Sequence, residues 1–517
     1  MSRSPEPSRR ARAVLSKHLY RPFPGAPLPA LPPIATLARE AEVAYKTMWK
    51  AVSEYRRHGL VDVKPHVGIT ARTEPLDLPL PETDPPPAQP RAAAIADAIE
   101  RDLVTGGYDP GKLLPSAKEL CARYRTSYRT VRAALSRLVA DGAIVRDGRG
   151  YAVTPPRRFG AGATVVLVAR GDDLGRLNML TPRSNVLLRA LEEGCIRADL
   201  SLTVHTHNYR GSQWQGIDAL RRVVRGRERT GPVVGSIVWD VGLNMLLLNR
   251  ILPILADGGR PVAVLDEVGM APRILAGLSG RLTRVFSMAT STRDGARVAR
   301  RLHALGHRHV AYFGLRHVAP GADARLRGLR ETMGRFGREC VVTDARESGK
   351  TWDEVTRTRD TELVDRASRA LEADSDLYGI PSRRAVQDVA LALGQVEILR
   401  RVERALTDRF ERELRRGRAT AWVAYNDSIA LAILEFLRRR GVAVPGRVSV
   451  IGFDNGQQAL ARDLTSFDFG CVMYANAMLG FIRNPSSRHF QGRHTVPVAY
   501  DGFLVERGSS DTAPRHE

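Results

Sequence analysis

The sequence contains few cysteines and no long hydrophobic run. Its four cysteines, Cys121, Cys195, Cys340 and Cys471, lie far apart, which excludes a Cys-x-x-Cys zinc pair and suggests no disulfide framework. No stretch reaches the roughly 18 apolar residues of a membrane-spanning helix, and the N-terminus lacks the apolar run of a signal peptide. We therefore expect a cytoplasmic protein with reduced thiols and no membrane partner.

Common catalytic motifs are also missing. The sequence has no Gly-x-Ser-x-Gly elbow, no Walker loop and no His-Glu-x-x-His pair, which argues against the hydrolase, nucleotide-binding and metalloprotease classes that these motifs mark. We expect no enzymatic activity and no cofactor.

Basic residues are in large excess. The formal net charge is +23, from 79 Lys and Arg against 56 Asp and Glu. A field of this sign attracts polyanions, and nucleic acid is the first candidate. Arginine is spread over the whole chain, however, so a genome that encodes arginine liberally explains the total equally well. The charge supports DNA binding without establishing it.

The 517 residues are too many for one core and suggest about three domains. The stretch PLDLPLPETDPPPAQP predicts an extended linker over 73–90, because proline removes backbone donors and stiffens the chain. TPPRRFGAGA predicts a second linker over 154–163. The linkers divide the chain into 1–72, 91–153 and 164–510.

The middle segment has the signals of a winged helix-turn-helix. Ser116 with Glu119 forms a capping box at the start of a short helix, and Ser127 caps a second helix over 128–141. Two short strands around a Gly-rich turn follow, over 144–153. A major groove admits one α-helix, whose N-terminal residues reach base edges. The predicted DNA-facing residues are Ser116, Ser127, Tyr128, Arg129, Thr130, Arg132, Arg146 and Arg149.

This segment resembles the GntR-type winged helix. It carries I-x-x-x-I, L-P-S, S-x-x-T-V-R-x-A-L-x-x-L and a closing G-x-G-Y-x-V. When Leu31 is aligned with Leu114, residues 1–72 look like a degenerate second copy. Lys46, Thr47 and Lys50 would then face DNA. The alternative is that this copy has lost DNA contact and serves pairing or spacing.

From Thr164 onward, short β-branched runs alternate with helical patterns, which predicts an α/β fold with parallel sheets covered by helices on both faces. The predicted strands are 164–169, 202–207, 235–239, 261–266, 309–314, 420–426 and 448–454.

The stretches RDGARVARRLHALGH, ARLRGLRETM and WVAYNDSIALAIL, with VSVIGFDN, resemble the LacI/GalR-type effector domain. The resemblance implies a two-lobed, periplasmic-binding-protein-like sensor, a homodimer and a small-molecule effector, with carbohydrate as first candidate. Ligands of open α/β sheets lie beyond the carboxyl ends of the strands. The expected effector-binding residues are Arg325, Asn426, Asp427, Asp454, Asp240 and Asp266.

Three of these assignments have alternatives. Arg327 competes with Arg325 for the inward position, Asp427 could simply cap a helix, and Asp454 could be a turn residue. The histidines at 303, 307 and 309 form a conceivable metal site, but the resemblance implies a structural histidine at this helix end, so we expect no metal.

One stretch departs from the family. Residues 341–418 are longer than usual and predict an insertion of charged helices. The whole pattern predicts a sequence-specific transcription regulator that binds a double-stranded operator and is controlled by an effector, with repression implied by the resemblance. The alternative is a solute-binding protein or an enzyme of the same fold without specific DNA binding.

Overall fold

The structure is a computed structural model, and the part of the chain it describes has gaps. The described residues are 7, 10–11, 14–15, 30–57, 61–64, 68–71, 91–104, 106–108, 111–148, 150–154, 159–160, 162–171, 177, 182–210, 213–225, 231–239, 245–257, 259–267, 269, 282–316, 323–351, 354–355, 369, 383–491 and 496–514. Predicted site residues Arg149 and Asp240 and the predicted linker 73–90 lie outside these ranges.

The first folded unit is a small helix–turn–helix with a hairpin. Its elements are β1 (Ala30–Leu31), α1 (Ile34–Glu40), α2 (Tyr45–Arg57), β2 (Val61–Lys64) and β3 (Gly68–Ala71). The strands form an antiparallel sheet in the order β1-β3-β2. Leu37, Met48 and Val52 form the centre of its apolar core.

The second unit has the same order of helices and hairpin. Its elements are α3 (Arg91–Val104), α4 (Ala117–Arg123), α5 (Tyr128–Ala140), β4 (Ile144–Asp147) and β5 (Gly150–Val153). Ser116 caps α4, and its backbone N–H donates to Glu119 Oε2 over 2.8 Å. Ser127 caps α5 through the Thr130 backbone N–H, so both helices begin where the sequence predicts them.

The cores of the two units correspond position by position. Aligning Leu31 with Leu114 places buried residues of the first unit on buried residues of the second. The matching pairs are Leu37 with Leu120, Met48 with Val131, Ala51 with Ala134, Val52 with Leu135, and Val61 with Ile144. A shared pattern of burial is what two copies of one architecture require.

The remaining chain forms two lobes, each built on a mostly parallel sheet. The N-terminal lobe has the strand order β11-β10-β9-β6-β7-β8. It contains β6 (Thr164–Arg170), α6 (Pro182–Arg197), β7 (Ser201–Arg210), β8 (Gln213–Gln215), α7 (Ile217–Val224), β9 (Val233–Trp239), α8 (Met245–Ala256), β10 (Val262–Asp266) and β11 (Thr283–Ser287). Six consecutive residues of β6 are buried, because helices cover both faces of the sheet.

The C-terminal lobe has the strand order β14-β12-β16-β17-β18-β19. It contains α9 (Thr292–Ala304), β12 (His309–Phe313), β13 (Leu315–Arg316), α10 (Ala324–Phe336), β14 (Val341–Asp344), β15 (Glu347–Thr351), α11 (Arg383–Arg416), β16 (Ala421–Ala424), α12 (Asp427–Arg439), β17 (Ser449–Phe453), α13 (Gln457–Ala461), β18 (Thr465–Asp468) and β19 (Phe503–Val505). Only β19 is antiparallel in this sheet. The predicted α/β class with parallel sheets is confirmed.

The chain crosses between the lobes three times. It leaves the N-terminal lobe between β11 and α9 and returns after β18 as α14 (Cys471–Arg483), which packs on α6. After α15 (Arg488–Gln491), a bridge between Phe286 and Val498 precedes the last crossing to β19. The lobes are thus joined side by side at one set of crossings.

The predicted insertion over 341–418 needs a correction. Its first residues are not helical: β14 pairs with β12 inside the main sheet, and β15 pairs with β13. The helix α11 occupies 383–416, with Val402, Leu406 and Phe410 in the core of the lobe. Although α11 has 34 residues, no helix among the described ranges is long and apolar enough to cross a bilayer.

Two glycines bring the backbones of α9 and α10 into contact. A Cβ atom on Gly295 would lie 1.9 Å from the carbonyl oxygen of Arg325, and one on Gly328 would lie 1.9 Å from that of Thr292. These separations are far inside van der Waals contact, so only glycine allows the helices to cross here. The crossing also fixes the position of Arg325 at the start of α10.

We expect Gly328→Ala to destabilise the sensor by about 1–3 kcal/mol or more, because the added methyl forces the two helices apart. Gly334→Ala is the matched control on the same helix, since open space surrounds that position. Its expected effect is neutral, or stabilising by about 0.5–1 kcal/mol. Urea unfolding of both variants measures the difference, and equal stabilities would disprove the close crossing.

Candidate functional sites

The exposed side of α5 is the candidate nucleic-acid surface. Val131 and Leu135 face the core of the winged helix, whereas Tyr128 is 60% exposed and Arg129 and Arg132 are exposed. Arg146 on the hairpin is exposed as well. An amphipathic helix of this kind presents aromatic and guanidinium groups to a partner while its apolar stripe stays buried.

Three predicted DNA-facing residues have roles inside the protein. Ser116 forms the capping box of α4, and Ser127 Oγ accepts the Thr130 backbone N–H over 3.3 Å. The hydroxyls of Ser127 and Thr130 also lie 2.8 Å apart as a hydrogen-bonded pair. These groups shape the helix starts, and both serines are also exposed, as are Tyr128, Arg129 and Arg132.

The first unit presents a comparable surface on α2. Lys46 and Lys50 are exposed, and the aromatic rings of Tyr45 and Trp49 are largely exposed beside them. Thr47 is half-buried. Under the Leu31–Leu114 alignment, Tyr45 corresponds to Tyr128, so both units place a tyrosine and basic residues at the start of the same helix.

Arg325 lies at the centre of the second candidate site. It is 3% exposed, and its guanidinium carbon lies 4.5, 4.7 and 4.9 Å from the ring centroids of Tyr425, Phe453 and Phe469. The guanidinium also donates to the Tyr425 carbonyl. Arg327 is exposed, so Arg325 is the inward-pointing arginine of the two.

Arg183 approaches the same place from the N-terminal lobe. Its guanidinium carbon lies 4.9 Å from the Phe469 centroid, and its Nε lies 3.0 Å from Oε1 of Glu267. Oε2 of Glu267 accepts the Trp239 indole N–H over 2.7 Å. Phe469 therefore contacts one cation from each lobe, and this pair lies where the two lobes meet.

Arg183, Glu267 and Phe469 are functional candidates that the sequence interpretation missed. Glu267 directly follows Asp266 at the end of β10, so the rule that selected Asp266 applied equally to its neighbour. Arg183 had no comparable signal, because it lies near the start of a helix and its partners are distant in sequence.

Asp454 follows β17 and faces both arginines. Burial raises the pKa of its carboxyl, while the positive charges of Arg183 and Arg325 oppose that rise. Its φ of +108° is a conformation that residues with a side chain rarely adopt. Asp454 is thus both a buried residue and a residue of the bend that follows β17, so the turn-residue alternative and the binding role stand side by side.

Asn426 and Asp427 are adjacent in the sequence but have different roles in the structure. Asn426 caps α12, since its Oδ1 accepts the Ile429 N–H over 3.0 Å. Asp427 is not the cap: it accepts the Gly456 N–H over 2.8 Å and the Ser466 hydroxyl over 2.6 Å. Burial, followed by the nearby Asp454 carboxyl, raises the pKa of Asp427. Its carboxylate therefore ties together the ends of neighbouring strands.

Asp266 lies fully buried at the end of β10. Its carboxylate accepts the Gly269 N–H over 2.9 Å and the Ser287 hydroxyl over 3.4 Å. This places Asp266 beside Glu267 in the N-terminal lobe and next to the first crossing between the lobes.

The histidine cluster has structural partners. His307 is buried, with Nδ1 2.8 Å from the Thr420 hydroxyl and Nε2 2.9 Å from the Asp511 carbonyl. His303 stacks on Phe336 with ring centroids 3.8 Å apart. Across the part of the chain that the structure describes, no three side chains of His, Cys, Asp or Glu form a group suited to a metal.

Two family descriptions match the chain. Residues 91–153 match bacterial regulatory proteins of the gntR family, and residues 383–480 match the periplasmic binding protein-like domain. The second match begins at α11, so this helix is part of the matched domain rather than an addition to it.

Curated relatives match over short segments. The arabinose metabolism transcriptional repressor of Geobacillus stearothermophilus is 43% identical over 47 residues, which are 9% of this chain and 13% of the repressor. The probable fructoselysine utilization operon transcriptional repressor of Escherichia coli K12 is 39% identical over 59 residues, 11% of this chain and 24% of that protein. The chain therefore spans less than a quarter of each relative's length in these matches.

Among solved structures, a LacI transcriptional regulator from a Rhodococcus species superposes with a TM-score of 0.40 at 19% identity, covering 68% of this chain and all of that one. This superposition is partial, so the strand orders and the two family matches carry the assignment. The chain combines a GntR-type helix-turn-helix domain, over residues 91–153, with a periplasmic-binding-protein-like domain.

Proposed function

We propose that the protein is a transcription regulator, acting as a repressor, whose DNA affinity is controlled by a small molecule bound in the interlobe cleft. One observation carries the ligand-binding half: among the described residues, Nη1 of Arg183 and Nε of Arg325 are buried without a hydrogen-bond partner, while Nε of Arg183 faces the Glu267 carboxylate. Buried donors without acceptors cost free energy, and a ligand that supplies acceptors removes that cost.

A polyhydroxylated ligand such as a sugar suits the cleft. Its hydroxyl oxygens can accept from Arg183 and Arg325, its hydroxyl hydrogens can be donated to the Asp454 and Glu267 carboxylates, and the Phe469 ring offers an apolar face. Asp266 ends β10 next to Glu267, and Asn426 follows β16 next to Tyr425, so we include both in the proposed site. Asp427 supports the site through its contacts with Gly456 and Ser466.

The DNA-binding half rests on α5. Arg129 and Arg132 can donate bidentately to guanine, and Arg146 on the hairpin can reach phosphate. We propose that a homodimer in the cytoplasm places paired winged helices on a two-fold operator. The effector shifts the protein between two arrangements of the heads through its different affinity for each.

Selection of genomic fragments by the purified full-length protein tests this function directly. Enrichment of a repeated or palindromic site upstream of genes is the expected result, and the adjacent genes nominate effectors. Binding without sequence preference would instead support a solute-binding protein, whose duplex affinity would be absent or would depend on salt alone.

Arg129→Ala should weaken binding to the selected operator by about 1–3 kcal/mol and relax the preference at one base pair. Arg197→Ala, an exposed arginine on the sensor, is the charge-matched control and should leave operator affinity nearly unchanged. Fluorescence anisotropy at several salt concentrations measures both. Equal losses in the two variants would show that only net charge matters.

Lys46→Ala combined with Lys50→Ala tests whether the first unit also contacts DNA. Each lost phosphate contact lowers the slope of log affinity against log salt by about 1, so the double variant should reduce it by about 2. Arg335→Ala with Arg338→Ala, two exposed arginines of the sensor, is the control. An unchanged slope would mean that the first unit serves pairing or spacing.

Arg325→Met should abolish thermal stabilisation by the effector. A saturating ligand at about 100 times its Kd stabilises the folded state by about 2.7 kcal/mol. Differential scanning fluorimetry against a panel of arabinose, ribose, lactose, cellobiose and their phosphates identifies a ligand for the unmodified protein. Arg327→Met, two residues along the same helix and exposed, should retain the shift; loss in both variants would place the ligand elsewhere.

A further inference from the structure

The second winged helix touches the sensor through more than its linker. Glu100 on α3 is only 7% exposed, and its Oε1 accepts the Ser487 hydroxyl and the His489 backbone N–H, both over 3.1 Å. Ser487 lies in the connection between α14 and α15, and His489 is the second residue of α15. Burial raises the pKa of Glu100, and the two hydrogen bonds oppose that rise.

Apolar and backbone contacts further along the chain add to this contact with the lobe. Val104, at the end of α3, packs against the core of the sensor and lies 3.6 Å from where a Cβ atom on Gly480 would stand. A Cβ atom on Gly106 would lie 2.6 Å from Nδ2 of Asn476. The backbone of Gly106, with a φ of +85°, therefore rests directly on α14.

We name this contact the α3 dock; it comprises Glu100, Val104 and Gly106 against Asn476, Gly480, Ser487 and His489. It joins a buried hydrogen-bonded carboxylate, an apolar contact and a close backbone approach. Burying a carboxylate away from water costs a large free energy unless hydrogen-bond donors of the protein replace the water. The hydrogen bonds of Glu100 therefore favour a single placement of the winged helix on the lobe over a range of placements.

The dock is connected to the cleft by hydrogen bonds. His489 Nε2 lies 3.1 Å from the Tyr500 hydroxyl, and the Tyr500 N–H donates to the Tyr474 hydroxyl over 2.9 Å. The Tyr474 hydroxyl in turn donates to the Ser287 carbonyl, and the Ser287 hydroxyl donates to Asp266 over 3.4 Å. Ser287 and Tyr500 lie on two of the three crossings between the lobes.

The dock leaves the DNA-facing surface free. Tyr128, Arg129 and Arg132 remain exposed while α3 is seated on the lobe. The contact therefore orients the winged helix without covering it, which distinguishes it from an autoinhibitory contact.

We propose that the α3 dock is a specific interface through which the N-terminal lobe, rather than the linker, sets the direction of α5, and that Tyr500 links the dock to the lobe crossings. The control of DNA affinity by this route rests on the proposed function. The interface itself does not, and its tests use the full-length protein without DNA or ligand.

The His489 amide reports the dock directly, because its acceptor is Glu100. Glu100→Ala removes that acceptor and should speed hydrogen exchange of the His489 amide about tenfold or more, as expected for the loss of a hydrogen bond to a charged group. Glu100→Gln keeps an acceptor oxygen and should retain most of the protection. Asp97→Asn is the control: Asp97 is exposed one turn earlier on α3, its charge opposes ionisation of Glu100, and its removal keeps the acceptor and should retain the protection of the His489 amide.

Spin labels at Ala133→Cys and Arg197→Cys, with Cys121 replaced by Ser, give a second measurement. A docked head gives one narrow distance distribution in the parent protein and in Glu100→Gln, and a broad one in Glu100→Ala. A broad distribution in the parent, or a narrow one in Glu100→Ala together with unchanged exchange at His489, would overturn the proposal.

The link to the crossings is tested by a double-mutant cycle. Tyr500→Phe removes the hydroxyl that meets His489, so its effect on His489 exchange should be smaller in the Glu100→Ala background than in the parent. If the two substitutions change the exchange rate of the His489 amide by factors that simply multiply, the dock and the crossings are not coupled. That result would not affect the test of the interface itself or the fragment selection.

Discussion

The three crossings between the lobes are the constraint around which the rest of the sensor is arranged. Phe469 lies just after β18, on the second crossing, and contacts a guanidinium from each lobe. An aromatic face can hold a cation that has left water, so a ring at the junction lets Arg183 and Arg325 come close. Because the ring belongs to a crossing, a change in the angle between the lobes changes what surrounds both cations.

The buried carboxylates divide into two groups with different consequences. The carboxylate oxygens of Asp427 accept hydrogen bonds from groups of the protein itself, the Gly456 N–H and the Ser466 hydroxyl. Glu267 and Asp454 instead face arginines that keep unused donors. The first group holds strand ends in place. The second lies beside buried arginine nitrogens that lack a partner among the described residues, and it is the group on which the proposed binding site depends.

Local signals predicted the local structure. Ser116 and Ser127 begin their helices as their capping patterns require, and fully apolar runs such as 164–169 became central strands. The sequence was silent on β18 and β19, which have only four and three residues and show little alternation. At 341–351 the charged residues led to a prediction of helix, but the structure has two short strands there.

The sequence predicted more of the candidate site in the C-terminal lobe than in the N-terminal lobe, where it predicted Asp266 but not Arg183 or Glu267. Arg325, Asn426 and Asp454 belong to motifs at strand ends, so a rule about parallel sheets finds them. Arg183 and Phe469 meet because the chain returns to the first lobe after almost three hundred intervening residues, and no periodicity within either segment encodes that return. Choosing Arg325 over Arg327 likewise required the close contact of α9 with α10.

The dock at Glu100 has a consequence for how the winged helix searches DNA. A domain on a loose tether samples many orientations and loses that freedom each time it binds. A winged helix held on the two-lobed domain has already lost this orientational freedom. The two winged helices of a dimer would therefore keep a fixed spacing and direction instead of moving independently. A winged helix excised at residue 154 would recover its rotational freedom, and its affinity would describe the fragment and not the protein.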